Sequence, residues 1–440
     1  MRMPMNGNEG WNALHAMHAM TQLNFYEPNG LANFPNYPPL SFYVVGLLGK
    51  LFGDNVLAGR ALAFLSILVT AANIGLISYR LGATRLMAIL AGVLALLYAS
   101  TKYSGYVGMN DPQWFGHALQ STGVMVLVGS VGLTTERRRL LIALLFIFAG
   151  GLVKHNLLPI PLAVTVWLAF VDRRAFIYWL VGGITLTLIA GLLFYLLYGA
   201  SFYQQLFGHE RIYSLRMLLD GSRDLYPLFP YFLLGSLAAI IYWANTRVRL
   251  VFVYLLIAIA IGLVFDLGRG VNQNTYFDVL IATMPLVGLG ASWLLNNLSR
   301  KQGLAAALSV LLVASPVLAR VPEFAADHVK TFGKMREWPK FQDMYATIAA
   351  APGPVACENP TLCYWAGREN AIDFTNAGQK LERNEVTQQQ FADLIASKEL
   401  SIIQVNGEDS GRLTDEANEQ LQAEYEIFWD KEGVLYRPKQ

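Results

Sequence analysis

Charge is what this chain has least of. Only 15% of its 440 residues are Asp, Glu, Lys or Arg, while 54% are hydrophobic, against roughly a quarter charged in soluble domains. That shortage, with a mean hydropathy of +0.38, excludes an ordinary water-soluble protein. The net charge of +2 is too small to argue for a nucleic-acid partner. Cysteine is also scarce: Cys357 and Cys363 are the only two. No cleavable signal peptide is visible, because the first residues lack a charged-then-apolar run ahead of a small-residue cleavage site.

What the chain has instead is a series of apolar runs, each near the ~20 residues that a bilayer-spanning helix needs. They predict a polytopic α-helical membrane protein. Ten spans are expected, near 57–80, 86–103, 114–134, 139–154, 157–171, 176–199, 227–244, 249–266, 277–296 and 303–320. Every second connection is short and basic: Arg80 and Arg85; Arg137, Arg138 and Arg139; Arg173 and Arg174; Arg247 and Arg249; Arg300 and Lys301. By the positive-inside rule these loops are cytoplasmic, and their alternation supports the count.

The opposite face, periplasmic in a bacterium, then carries nearly all the other notable polar residues. These are Glu9, His15, His18, Asp111, Lys154, His155, His209, Arg211, Arg269, Asn272 and Asn274. Polar groups at membrane depth are costly and line cavities or sites, so one external site is expected. The chain divides into a first external loop (1–56), a helical membrane domain (57–320) and a more polar tail (321–440). In the tail, "PVACE", "LSIIQV" and "GVLYRP" read as strands, and 385–398 and 414–424 as helices. A small external α/β domain is predicted, in which Cys357 and Cys363 can form a disulfide. In the first loop, "NEGWNALHAMHAM" reads as a helix capped by Asn8. Residues 40–52 are apolar but too short to span, and read as an interfacial segment with Tyr37, Phe42 and Tyr43 at headgroup level.

An acidic motif in that loop, then "YPPLSFY", then "LFG…GR" at a helix start resembles the GT-C glycosyltransferases. The members concerned are those related to protein O-mannosyltransferases and to aminoarabinose transfer to lipid A (glycosyltransferase family 39). "GMNDPQWFGHAL" at 108–119 is similar to that group's second external loop, and "GGLVKHN", "GRGVNQNTYFD" and the tail "CENPTLCYWAGRENAIDF" fit it in order. Two departures stand out. The family's cytoplasmic start and first span are missing ahead of "MRMPMNGNEG", which leads to the expectation of an eleventh span encoded upstream. The family's Asp-Glu or Asp-Asp pair is matched here by Asn8-Glu9.

The resemblance implies transfer of a sugar from a polyprenyl (undecaprenyl) phosphate to a glycan, lipid or protein acceptor at the outer face of the inner membrane. Such chemistry needs a carboxylate to take the acceptor's proton and cations aimed at the leaving phosphate. Glu9 and Asp111 are the candidate carboxylates, although Glu9 can equally be a helix N-terminal acid and Asp111 a cap for the next helix. Arg60, Lys154, His155 and Arg269 are the candidate phosphate ligands, or snorkelling residues at helix ends. Asn8, Trp11, Tyr37, Asn272 and Asn274 are candidate substrate contacts. No cofactor is required by the motifs. A divalent metal on His15 and His18, which share a helix face, is conceivable, with interfacial histidines the commoner reading. Two other functions remain open, a lipid-linked sugar transporter or flippase and a non-catalytic GT-C-like subunit. A transporter is disfavoured by the lack of an internal repeat.

Overall fold

The computed structural model describes residues 2–129, 136–208, 213–268, 270–297, 314–315, 318–319, 321–334, 338–382, 385–431 and 433–440. Two helices precede the membrane bundle: α1 (Gly7–Thr21) and α2 (Leu40–Phe52). The bundle follows with α3 (Asn55–Leu81), α4 (Arg85–Lys102), α5 (Gln113–Val128), α6 (Arg137–Val153), α7 (Pro159–Val171) and α8 (Arg173–Phe207). It continues through α9 (Leu215–Gly221), α10 (Phe229–Ile241), α11 (Thr246–Asp266) and α12 (Phe277–Asn297). Helices thus stand at nine of the ten expected spans among the described residues. The tenth, at 303–320, falls almost wholly outside them, as do His209, Arg211, Arg269, Arg300 and Lys301.

Among the described residues, six helical stretches are long and apolar enough to cross a membrane, including Asn55–Leu81, Arg173–Phe207 and Gln273–Asn297. Burial separates their roles. The apolar window of Gln273–Asn297 is 83% buried, and that of Arg173–Phe207 is 0% buried. The stretch ending in α12 is therefore the centre of the bundle, and α8 presents its apolar surface outward, as a helix facing lipid does.

Local chemistry sets the helix ends. Asp54 caps α3, accepting from the backbone N–H of Val56 at 2.9 Å and Leu57 at 3.2 Å. Asp172 caps α8 in the same way. Asn6, rather than Asn8, caps α1: its side chain accepts from Asn8 N–H at 3.0 Å. Both asparagines suit the role, and the cap lies two residues earlier than the sequence suggests. The span in α8 ends where it is expected to: Gly199, at φ 65° and ψ −155°, interrupts the helix, so that Arg173–Phe207 is two helices joined at a kink. Residues 200–207 then fold back, and Tyr203 donates to the Gly191 carbonyl at 2.7 Å. Phe202 and Leu206 pack with Phe25, Tyr26 and Phe42 of the first loop.

After α13 (Val321–Lys334) and α14 (Trp338–Ala349) comes the small domain. Its elements are β1 (Val355–Cys357), α15 (Pro360–Trp365), α16 (Phe374–Leu381), α17 (Glu385–Ala396), β2 (Ile402–Val405), α18 (Asp415–Glu424), β3 (Tyr425–Asp430) and β4 (Val434–Pro438). The sheet order is β1-β2-β4-β3. β1 and β2 are parallel, with Ala356 opposite Ile403, and the other two pairings are antiparallel. β3 lies at the sheet's edge and carries a bulge between Ile427 and Trp429. The three strands read from sequence are present. β3 went unread because α18 runs into it with no turn residue between Glu424 and Tyr425. Cys357 and Cys363 are disulfide-bonded, tying the end of β1 to α15.

The domain is stitched to the bundle's end through the first loop and the start of α3. A Cβ on Gly10 would sit 1.9 Å from the Thr361 nitrogen, so only glycine lets α1 lie against α15. Trp365 Nε1 donates to Asp54 at 2.9 Å, and Asn55 N–H donates to the Tyr364 hydroxyl at 2.8 Å.

The disulfide closes a short loop, for which chain entropy gives a contribution of about 2 kcal/mol. Replacing both cysteines by serine is expected to lower the stability of the full chain in detergent by about that amount. Thermal unfolding of the oxidised protein and the double variant measures it.

Candidate active site

The first loop and the second meet at Glu9. This carboxylate is 0% exposed and lies at the N-terminal end of α1, where the helix dipole favours an anion. Arg60, one turn into α3, grips it in a two-pronged pair: Nε to Oε1 at 2.7 Å and Nη2 to Oε2 at 2.7 Å. Asn110 N–H adds a third bond to Oε1 at 3.2 Å and Met5 N–H a fourth to Oε2 at 3.1 Å. Arg60 Nη2 also donates to the Met3 carbonyl at 2.7 Å. Asn110 Nδ2 donates to the Glu9 carbonyl at 3.0 Å, and Asn12 Nδ2 donates to the Asn110 carbonyl at 3.0 Å. Each Glu9 oxygen thus already accepts two hydrogen bonds, about the capacity of a carboxylate. Neither Glu9 nor Arg60 lines the neighbouring cavity.

That cavity, about 300 Å³, lies where α1, the start of α5, the α6–α7 connection, the loop before α12 and the C-terminal domain converge. Asp111 lines it. Its Oδ1 accepts from Gln113 N–H at 2.8 Å, closing the turn through Pro112 into α5. Among the described residues no hydrogen bond reaches its other oxygen, so Asp111 closes the turn ahead of α5, whose N-cap is Pro112, and is a cavity carboxylate at once. Lys154, at the C-terminal end of α6, also lines the cavity, with its ammonium 4.7 Å from the centre of the Tyr37 ring. Asn8, Trp11, Tyr37, Asn272 and Asn274 are all on the wall. Five substrate-contact candidates, one acid and one cation therefore share a single space.

The remaining candidates separate from it. His155 sits beside Phe207, ring centres 6.1 Å apart, and is not on the cavity wall. Arg269 lies outside the described residues. His15 is buried against Trp11 and Phe42, and burial first, then the neighbouring His18, pushes its pKa well below the ordinary histidine value. His18 instead faces the C-terminal domain, with Nε2 2.7 Å from Glu369 Oε2. That contact, through its hydrogen bond, holds the Glu369 carboxyl below its ordinary range. Among the described residues no three His, Cys, Asp or Glu side chains gather as a metal-binding group.

Other wall residues gave no signal in the sequence. Asp278, in the first turn of α12, accepts from the Tyr254 hydroxyl at 2.6 Å, with His117 Nδ1 3.7 Å away. It reads in sequence as an ordinary helix-start acid. Asp373 caps α16 through Asn376 N–H and accepts from Trp11 Nε1 at 2.9 Å. Burial raises its pKa, against the opposing effect of those hydrogen bonds. Only the fold brings it to the first loop, since 362 residues separate it from Trp11. Glu358 and Asn359, which follow β1, were hidden in the same way.

With this geometry described, comparison with known proteins adds the following. A family model for a 6-pyruvoyl-tetrahydropterin synthase related domain, described as a membrane protein, matches residues 34–181. No curated protein matches this sequence. Among solved structures, ArnT from Cupriavidus metallidurans in the apo state is similar over 97% of this chain and 92% of its own, with a TM-score of 0.65 at 15% identity. The same protein bound to undecaprenyl phosphate covers 97% and 93%, with a TM-score of 0.65 at 14% identity. The Archaeoglobus fulgidus oligosaccharyltransferase in its apo form covers 99% of this chain and 71% of its own, with a TM-score of 0.58 at 11% identity. At such identities the likeness is one of fold, and it runs through bundle, first loop and tail domain together: the chain is a membrane protein with the fold of the GT-C glycosyltransferases.

Proposed function

We propose that this protein is a membrane glycosyltransferase that moves a sugar from a polyprenyl-phosphate donor to an acceptor hydroxyl. The observation that carries this reading is Asp111, buried on the wall of a polar cavity with one oxygen tied to its own turn. A solved protein of the same fold binds undecaprenyl phosphate, which favours a lipid-linked donor. The basic loops at every second connection favour an orientation with the cavity and the C-terminal domain away from the cytoplasm, which in a bacterial inner membrane is the periplasmic side.

In this reading Asp111 takes the acceptor's proton as its oxygen bonds to the anomeric carbon. The bond from that carbon to the phosphate oxygen breaks, and the electron pair leaves with the lipid phosphate. Lys154 is the cation placed to offset the growing negative charge, and Tyr37 holds its ammonium on the cavity side. Asn8, Trp11, Asn272 and Asn274 then position substrate. Glu9 and Arg60 brace the loop that carries Asp111 and take no part in proton transfer. Residues 1–56, 57–320 and 321–440 act as loop, membrane domain and covering domain of one site.

The two carboxylates are expected to respond differently. Asp111→Asn lowers release of polyprenyl phosphate by about 10²-fold or more and leaves the unfolding temperature in place. Glu9→Gln leaves the half-buried Arg60 without its counter-ion and lowers stability by about 3 kcal/mol. Release measured with a panel of undecaprenyl-phosphate sugars and a crude envelope acceptor, alongside thermal unfolding, separates them. A Glu9→Gln protein that folds normally but is inert, beside an active Asp111→Asn protein, would transfer the base to Glu9. Lys154→Ala is expected to raise the donor KM by about 10–100-fold, the equivalent of one lost charged hydrogen bond. Lys154→Arg should restore part of it, and an unchanged donor KM would remove Lys154 from the phosphate site.

A further inference from the structure

The cavity wall is unusually rich in amides. Twelve of its lining residues are Asn or Gln, drawn from α1, the first loop, α5, the α6–α7 connection, the loop before α12 and the C-terminal domain. Four of them, Asn359, Asn376, Gln379 and Asn406, belong to the C-terminal domain and face the bundle's acid and lysine across the space. A side-chain amide both donates and accepts, which matches a hydroxyl and is wasted on a phosphate, a pure acceptor. Phosphate recognition calls for cations, above all arginine forks. The described lining offers two, Lys154 and Arg412, against four carboxylates, Asp111, Asp278, Glu358 and Asp373. With Lys154 engaged by the donor, a second anion entering from the domain side would meet one cation, Arg412, on a wall that also carries Glu358 and Asp373.

The wall is also preorganised. Asn376 Nδ2 donates to Asp373 Oδ2 at 2.7 Å, and the same oxygen accepts from Trp11 Nε1. Asn406 N–H donates to Glu358 Oε2 at 3.0 Å, and its side-chain oxygen accepts from Gln404 Nε2 at 3.3 Å. Groups already held lose little freedom when a ligand docks. Trp11 is further fixed edge-on by His15 at 4.3 Å and Tyr37 at 5.4 Å between ring centres. Rigid aromatic faces beside amides and carboxylates, in a space of about 300 Å³, suit the C–H face and hydroxyl rim of a sugar ring and fall in the small-ligand range.

We infer that the domain-side wall, centred on Asn376, Gln379 and Asn406, is the acceptor subsite and that it binds the uncharged sugar of a neutral glycan. The inference rests on the transferase reading and adds the acceptor class to it. It agrees with the presence of Asp111, since a hydroxyl acceptor must lose a proton.

The test uses the full chain in detergent. Acceptors are neutral tetrasaccharides of glucose, galactose and mannose, and the same tetrasaccharides carrying one phosphate monoester. Binding is read without turnover, by tryptophan fluorescence of the Asp111→Asn protein, and transfer is read on the wild type with undecaprenyl-phosphate sugars. Gln379 is half-buried and Asn406 exposed, so Gln379→Ala with Asn406→Ala is expected to fold. The double variant should raise the acceptor KM and the glycan dissociation constant about tenfold, with the donor KM within about twofold. Tighter binding of the phosphorylated glycans, a change confined to the donor KM, or no binding of any glycan would overturn the inference. Wall-dependent binding of a neutral glycan with no release of lipid phosphate would uphold the glycan subsite and overturn the transferase reading instead.

Discussion

The buried pair between Glu9 and Arg60 is the constraint on which the site's geometry rests. Removing two charges from water costs several kcal/mol per ion, and only good geometry with further hydrogen bonds recovers it. Here the recovery comes from separate parts of the chain: α1 supplies the acid, α3 the guanidinium, and Met3, Met5 and Asn110 the remaining partners. Together they fix the loop at 109–111 relative to α1, and so fix Asp111 relative to Trp11 and Asn8. The arginine also lies 5.7 Å from the Trp365 ring, which extends the constraint into the C-terminal domain.

That domain is part of the site and not an appendage. Trp365 bonds to the cap of α3, Asp373 bonds to Trp11, and Tyr345 bonds to the Arg2 carbonyl at 3.0 Å. The cavity lies at this seam, one side built on the bundle's end and the other on the loops after β1 and β2 and on α16. Sites at the junction of two units are common, because the groups that converge there need not satisfy one another as those of a core must.

Much of this was legible in the sequence, for identifiable reasons. Spans such as 57–80 and 249–266 show themselves because a bilayer demands long apolar runs, and Leu40–Phe52 shows itself by being too short. Asp111, Lys154, Trp11, Tyr37, Asn272 and Asn274 were legible because a polar or aromatic residue beside an apolar run stands out. The environment of each was not. Nothing in "GNEGW" reveals that four donors from residues 5, 60 and 110 will saturate Glu9. Asp278 and Asp373 resemble ordinary helix-start acids until the fold brings His117 and Tyr254 to one and Trp11 to the other. The edge strand was hidden because its alternation is weak and no glycine or proline precedes it.

That edge strand carries a consequence for how the protein behaves outside its own fold. A sheet's outer strand offers unpaired backbone groups that can recruit the same edge of another copy, and long flat edges aggregate for that reason. β3 bends at its bulge between Ile427 and Trp429 and sets Glu426, Asp430 and Lys431 along and beyond it, around the exposed Ile427 and Phe428. A second chain approaching this edge would meet a twisted ladder and a fence of charge. In a molecule that must already expose a broad apolar belt to lipid, the bulge and these charges oppose pairing at an edge that also exposes Ile427 and Phe428.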